Sequence, residues 1–181
     1  MTQGRLIAVV GPSGVGKDSV MTGLCDALPE FHLVRRVITR AAELGGEDYE
    51  ATSTEQFERM RQDGAFALHW DAHTLRYGSP ITVKYQLNRG TDCLVNLSRK
   101  VLSEGAAAFP RFVVLNITAA PETLAERLAM RGRETQAEIA KRLAQADKPL
   151  PDGLEVIHLS NDGALADTVA RAAALLQPVQ V

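Results

Sequence analysis

The feature that most constrains the fold of this sequence is a glycine-rich turn near its N-terminus, Gly11-Pro-Ser-Gly-Val-Gly-Lys17. The turn directly follows an apolar, β-rich run, Leu6–Val10, and directly precedes a segment whose apolar residues have helical spacing. In that context the backbone N–H groups of the turn and of the helix start surround phosphate oxygens, and the lysine reaches the terminal phosphates of a nucleoside triphosphate. The sequence therefore predicts a strand, a phosphate-binding loop (residues 11–17) and a helix.

The residue after the loop departs from the usual motif. Ser or Thr normally follows the lysine and its hydroxyl ligates Mg²⁺, but here Asp18 and then Ser19 follow. A carboxylate is a good ligand for Mg²⁺, so we expect Asp18 to hold the metal and Ser19 to bind the α-phosphate. Alternatively, Asp18 only complements the helix dipole. The predicted ATP-binding residues are Gly11, Pro12, Ser13, Gly14, Val15, Gly16, Lys17, Asp18 and Ser19.

The rest of the chain alternates strands with helices, which predicts an α/β fold with a parallel sheet. Its 181 residues correspond to a single domain, residues 1–181. Predicted strands cover residues 34–39, 92–97, 112–118 and 155–159, and predicted helices cover residues 18–28, 53–64, a segment from Pro121, a segment around Ile139 and Leu143, and residues 164–176.

Composition excludes several functional classes. The net charge of −2 disfavours nucleic-acid binding, and the apolar runs are too short to span a membrane. We expect no secretory signal, and two widely separated cysteines, Cys25 and Cys93, are typical of reduced thiols in a cytoplasmic protein. The oligomeric state stays open.

A second basic motif lies in the C-terminal half. Arg127 and Arg131 lie one helical turn apart, Arg133 follows a glycine, and Arg142 lies on the next predicted helix. Phosphoryl transfer is catalysed mainly by positioning and electrostatic stabilisation, which guanidinium groups supply, although a solvated helix face is the alternative. The predicted catalytic residues are Lys17, Arg127, Arg131, Arg133 and Arg142.

Taken together, the phosphate-binding loop, residues 39–79, the arginine segment and Asn161-Asp162 resemble the guanylate kinase-like group of P-loop kinases, from about residue 6 to residue 176. The resemblance implies a five-stranded parallel core flanked by helices, an acceptor-binding insert at about 34–82 and a lid at about 127–142. It also implies ATP and Mg²⁺, with Asn161 and Asp162 beside the adenine. Because a phosphate acceptor is already ionised, no general base is expected.

The acceptor segment departs from guanylate kinases where they recognise guanine. Their Glu before Trp is His69 here, and their acidic residue on a later strand is Asn96, so two carboxylates that accept hydrogen bonds from guanine are lost. Of their two phosphate-binding arginines, Arg40 remains and the second is Glu43. The predicted acceptor-binding residues are Arg36, Thr39, Arg40, His69, Arg76, Tyr77, Ser79 and Asn96.

This set of departures resembles the branch of ribose 1,5-bisphosphate phosphokinases. The branch implies a small sugar phosphate and ATP as ligands, and 5-phospho-α-D-ribose 1-diphosphate as product. The alternatives are a guanylate kinase and a non-catalytic guanylate kinase-like binding module. His69 is expected either to face the acceptor sugar or to be structural, a metal role for His69 and His73 is disfavoured, and Arg99 is interpreted as solvent-facing.

Overall fold

The structure is a computed structural model, which describes residues 2–42 and 47–177. In chain order the elements are β1 (Leu6–Val10), α1 (Lys17–Ala27), β2 (His32–Leu33), β3 (Val37–Ile38), β4 (Glu50–Ala51), α2 (Thr54–Gln62), β5 (Phe66–Ala72), β6 (Leu75–Pro80), α3 (Val83–Asn88), β7 (Cys93–Asn96), a 3₁₀ turn (Arg99–Val101), α4 (Leu102–Ala108), β8 (Phe112–Thr118), α5 (Pro121–Arg131), α6 (Gln136–Ala146), β9 (Val156–Ser160) and α7 (Leu165–Leu176).

The core sheet is five-stranded and wholly parallel, in the order β2-β7-β1-β8-β9, which confirms the predicted fold class. The central strand β1 is completely buried, as expected for an apolar run covered by helices on both faces. Its neighbours are β7 and β8, so the loop that follows Val10 lies at the carboxyl edge of the sheet. Ligands of open parallel sheets bind at that edge.

A second, four-stranded sheet in the order β4-β3-β6-β5 lies within the predicted acceptor-binding insert. The strand predicted for residues 34–39 is shorter in the structure, because within that range only β3 (Val37–Ile38) is a strand, and it pairs with β6 of the insert. The strand just before it, β2 (His32–Leu33), pairs with β7 of the core sheet instead. Strand propensity indicates an extended backbone but does not specify which sheet pairs with it.

Helix boundaries follow capping signals in the sequence. Ser53 caps α2 by accepting a hydrogen bond from the backbone N–H of Gln56 at 3.1 Å. Pro121 opens α5, and Gly132 ends it in the left-handed conformation at φ 65°. Thr135 and Glu138 then form a reciprocal capping box at the start of α6. These two helices and the turn between them contain the arginine segment.

Apolar side chains fill both faces of the core sheet. The face that packs on α1, α5 and α7 buries Val20, Leu124 and Ala172, whereas the opposite face extends into the insert through Trp70 and Tyr77. The insert therefore shares a core with the sheet and is held close to its carboxyl edge. No helix in the described part of the chain combines the length and apolarity needed to cross a membrane.

Candidate active site

A cleft of about 840 Å³ lies over the carboxyl edge of the core sheet. Its floor is the phosphate-binding loop with the start of α1, one wall is the insert, and the other is formed by the 3₁₀ turn and by α5 and α6. The parallel strands and the helix after β1 thus place the predicted phosphate site, the predicted acceptor insert and the arginine helices around one volume.

The phosphate-binding loop has the backbone conformation that its glycines predict. Gly14 and Gly16 have φ values of 84° and 90°, a region that side chains disfavour. A Cβ atom on Gly16 would also lie 2.9 Å from Nδ2 of Asn161, so there is no room for one. The loop therefore leaves its backbone N–H groups, without side-chain obstruction, at the start of α1.

Lys17 begins α1 and lines the cleft. Its ammonium donates to the backbone oxygens of Gly11 at 2.8 Å and Pro12 at 3.5 Å, so it is held along the loop where phosphates would lie. Burial, together with the nearby charges of Arg36, Arg99 and Arg131, lowers the pKa of Lys17 to about 8, against the opposing effect of Asp18. Several cations therefore converge on this ammonium, as a site for a polyanion requires.

Asp18 lies beside Lys17 and also lines the cleft. Burial raises the pKa of its carboxyl group, and the negative charge of Glu47 adds to that effect. A partly desolvated carboxylate next to the phosphate-binding loop, with the hydroxyl of Ser19 beside it on the cleft surface, is a suitable donor set for Mg²⁺. The residues present therefore fit the metal that the sequence motif implies.

The four predicted catalytic arginines have three different environments. Arg131 and Arg142 line the cleft, and Nη1 of Arg142 donates to the hydroxyl of Ser13 in the loop at 2.6 Å. Arg142 also pairs with Glu134 at 3.5 Å. Arg127 lies against the loop instead and donates to backbone oxygens, and Arg133 is exposed in the turn after Gly132.

Two arginines of the insert line the cleft. Arg36 and Arg40 lie on either side of the short strand β3. The Arg36 guanidinium packs 5.0 Å from the Tyr77 ring and makes a two-pronged ion pair with Glu47, with Nε 2.6 Å from Oε1. Arg40 packs 4.5 Å from the ring of Tyr49 and donates to its hydroxyl at 3.2 Å.

The charge of the cleft is one-sided. Among the described residues that line it, Asp18 is the only acidic one, and the basic ones are Lys17, Arg36, Arg40, Arg99, Lys100, Arg131, Arg142 and Lys148. Such a surface attracts ligands that carry several phosphates.

Comparison with known proteins agrees with this geometry. The family model described as guanylate kinase matches residues 3–176. The chain belongs to the guanylate kinase family. A solved guanylate kinase from Anaplasma phagocytophilum has the same fold, with a TM-score of 0.69 and 20% identity over 97% of this chain and 85% of that one.

Relatives within the family are more similar in sequence. The chain is 51% identical to the ribose 1,5-bisphosphate phosphokinase PhnN of Ruegeria sp. over 97% of this chain and 93% of that protein. It is 44% identical to the ribose 1,5-bisphosphate phosphokinase PhnN of Pantoea vagans over 96% of this chain and 97% of that protein. The resemblance to this branch of the family is confirmed.

The structure does not bring every predicted site residue to the cleft. Thr39 and Arg76 lie on the other face of the insert, where the Thr39 hydroxyl accepts from the Arg76 backbone N–H at 2.8 Å and the Arg76 guanidinium pairs with Glu58. His69 is exposed on β5, one residue out of phase with Trp70, which does line the cleft. Ser79 is fully buried behind the wall, and Glu43 lies outside the described residues.

Asn161 and Asp162 support the site from below. Asn161 is buried and its Nδ2 donates to the Val15 oxygen of the loop at 2.8 Å. Asp162 accepts from the Ala120 backbone N–H at 2.7 Å, and this hydrogen bond lowers the pKa of its carboxyl group. Both therefore fix the positions of the loop and of the start of α5.

Several cleft residues were missed by sequence reasoning. Tyr77 and Asn96 line the cleft as predicted, and so do residues that were not chosen: Trp70, Ala72, His73, Ser98, Arg99, Lys100 and Lys148. Arg99 and Lys100 could have been predicted from the sequence, because they closely follow the buried strand β7 and so lie at the carboxyl edge of the parallel sheet.

Proposed function

We propose that the chain transfers the γ-phosphate of ATP to ribose 1,5-bisphosphate, which yields 5-phospho-α-D-ribose 1-diphosphate and ADP. The observation that carries this proposal is the charge of the cleft: one carboxylate, beside the phosphate-binding loop, against eight basic side chains among the described lining residues. An acceptor that consists of a sugar with two phosphates and no base matches that surface. Relatives named ribose 1,5-bisphosphate phosphokinase align with nearly the whole chain.

In this mechanism the phosphate-binding loop holds the ATP phosphates. Lys17 exchanges its bonds to Gly11 and Pro12 for bonds to the β- and γ-phosphate oxygens, because an ammonium gains more from charged acceptors than from carbonyls. Asp18, with Ser19, would hold Mg²⁺, which neutralises charge on the phosphates when bound. Arg127, Asn161 and Asp162 keep the loop and the neighbouring helix in place.

The acceptor enters from the insert side, where Arg36 and Arg40 meet its reacting phosphate beside Tyr77. An oxygen of that phosphate attacks the γ-phosphorus in line, the bond to the β–γ bridging oxygen breaks, and ADP leaves. The attacking oxygen is already ionised, so no side chain has to remove a proton. Arg131 and Arg142 stabilise the charge on the transferred group from the opposite wall.

Guanylate kinase activity is the less favoured alternative. Guanine presents N–H donors that require acceptors, and the carboxylates expected at positions 69 and 96 are replaced by histidine and asparagine. A non-catalytic binding module is disfavoured because Lys17, Arg131 and Arg142 all line the cleft, and Arg142 donates to Ser13 of the phosphate-binding loop. Such a module would show no thermal stabilisation by ATP with Mg²⁺.

The lid is also part of the proposal. We propose that residues 127–142, which comprise the end of α5, the turn at Gly132 and the first part of α6, close over ATP and bring Arg133 towards the phosphates. We place the reaction in the cytoplasm, since ATP is the donor and Cys25 and Cys93 are unpaired.

The direct test is identification of the product. The purified protein, incubated with ATP, Mg²⁺ and ribose 1,5-bisphosphate, should release ADP together with a sugar diphosphate, which ³¹P NMR resolves as one uncoupled signal from the 5-phosphate and two coupled signals distinct from those of ADP. ADP release without that product, or release that does not depend on the sugar, would contradict the proposal.

A further inference from the structure

Three cations in the cleft make no ion pair with a carboxylate in the described part of the chain. None of the ion pairs among the described residues involves Arg99, Lys100 or Lys148, although Arg36 and Arg142 in the same cleft both pair with a glutamate. Arg99 donates to the backbone oxygens of Gln145 at 3.4 Å and Ala146 at 3.2 Å. Lys100 donates to the backbone oxygen of Asp71 at 3.3 Å.

This arrangement leaves positive charge only partly compensated in the cleft. Arg99 is half-buried, and burial lowers its pKa more than the nearby charge of Asp147 raises it, which means that the charge of Arg99 is held at some cost. A guanidinium also has more N–H donors than two carbonyl oxygens use. On a partly desolvated cation, an N–H donor without an acceptor costs free energy, and a bound anion removes that cost by accepting the hydrogen bond.

The neighbouring turn directs a histidine into the same part of the cleft. Strands β5 and β6 are joined by a two-residue turn in which His73 and Thr74 have φ values of 51° and 65°. Two consecutive left-handed residues without glycine are uncommon, and such strain tends to be retained where a side chain must be placed. His73 lines the cleft, and the oxygen that accepts from Lys100 belongs to Asp71, two residues earlier on β5.

We propose that Arg99, Lys100 and His73 form a second anion subsite, which binds the 5-phosphate of ribose 1,5-bisphosphate, the phosphate that does not react. The inference rests on the proposed function, since it assigns one end of that acceptor. The reacting phosphate must lie beside the phosphate-binding loop, where Arg36 and Arg131 act on both Lys17 and Asp18. The charge of Arg99 also acts on Lys17, so Arg99 lies at the end of the subsite nearest to the loop, and Lys100 and His73 extend the subsite along the insert side of the cleft. The subsite lies on the adjacent wall and supplies the second set of donors that a bisphosphate needs.

The subsite explains a choice between two sugars with the same reacting group. Ribose 1-phosphate presents the same phosphate to ATP but has no 5-phosphate. Each charge-assisted hydrogen bond to the missing group corresponds to about a 10- to 100-fold preference for the bisphosphate. The preference is expressed as the ratio of the two kcat/KM values, and loss of the subsite lowers that ratio because the value for the bisphosphate falls further than the value for ribose 1-phosphate.

The test compares both sugars in Arg99→Met, Lys100→Gln and His73→Asn, with Arg89→Met and Lys84→Gln, exposed residues on or next to α3, as matched controls. Asparagine at 73 tolerates the left-handed backbone, so this change removes the ring without straining the turn. We expect Arg99→Met to lower the ratio about 10- to 100-fold, the other two cleft variants to lower it by about tenfold or less, and the controls to leave it unchanged.

Each outcome decides the matter. If Arg99 only holds the end of α6, its variant lowers kcat/KM equally for both sugars, the ratio stays constant, and the subsite is wrong. The same holds if the unmodified protein has no preference between the sugars. If the unmodified protein phosphorylates neither sugar, the proposed function itself fails, and the subsite fails with it.

Discussion

Arg127 donates a 2.6 Å hydrogen bond to the backbone oxygen of Asn161, and the side chains of both residues donate to the backbone oxygen of Val15 in the phosphate-binding loop. An arginine of the C-terminal half thereby holds the loop both directly and through Asn161. The two residues lie on α5 and directly after β9, so the loop is held by elements far from it in sequence.

Removal of this support should loosen the loop. Asn161→Ala deletes a buried hydrogen bond to Val15, and we expect the free energy of unfolding to fall by about 1–2 kcal/mol. The KM for ATP should rise more than kcat falls. Thermal unfolding and steady-state kinetics measure both, with Asn88→Ala on the exposed end of α3 as the control. An unchanged KM together with a large loss of kcat would contradict this positioning role.

Replacement of Arg131 should lower kcat rather than raise the KM for ATP. Its guanidinium lines the cleft and acts on the pKa values of both Lys17 and Asp18, so it is placed where charge develops during transfer. We expect Arg131→Met to lower kcat by about 10²- to 10³-fold with little change in stability. Arg59→Met on the exposed face of α2 is the control. A near-normal kcat in Arg131→Met would remove this arginine from the transfer step.

The depressed pKa of Lys17 predicts a pH dependence. The ammonium form binds phosphate, and burial sets the pKa of this group to about 8 in the free protein. As pH rises through that value the ammonium is lost, so kcat/KM for ATP should fall about tenfold per pH unit well above it. Bound phosphates favour the charged form, so kcat should fall only at higher pH. A profile that is flat up to about pH 10 would contradict this assignment.

Asp18 gives a separate test of the metal site. If its carboxylate holds Mg²⁺, Asp18→Ala should abolish turnover at ordinary Mg²⁺ concentrations and shift the Mg²⁺ dependence to much higher values. Titration of activity with Mg²⁺ measures this, and Asp26→Ala on the exposed face of the same helix is the matched control. Near-normal turnover in Asp18→Ala would favour the alternative, a simple acid at the helix N-terminus.

Local sequence signals were sufficient for much of the fold. The apolar run before Gly11, the cap at Ser53 and the proline at 121 each specify a boundary that the structure confirms within a residue or two. These features act through the backbone of their own neighbourhood, so no knowledge of distant contacts is required. The extended segment at 34–39 needed such knowledge, because β3 within it pairs with β6 of the insert, whereas β2 just before it pairs with β7 of the core sheet.

The residues of the insert that line the cleft could be predicted from the sequence only in part. His69 and Arg76 were chosen by their place in a motif, but alternation along β5 and β6 turns them away from Trp70 and Tyr77, which face the cleft. His73 lines the cleft because of the turn between β5 and β6. The two left-handed residues of that turn, His73 and Thr74, are not glycines, so the sequence does not predict its conformation. Arg36 lines the cleft, but its ion pair with Glu47 could not be predicted from the spacing of the two residues in the sequence.

The most direct test of the account compares two acceptors in one preparation. The rate of ADP release with ATP and Mg²⁺ should be measured with ribose 1,5-bisphosphate and with GMP under identical conditions. The charge of the cleft predicts turnover with the sugar bisphosphate and at most a trace with GMP. Turnover with GMP alone would mean that a wall of cations with His69 and Asn96 still recognises guanine, and the central claim would be wrong.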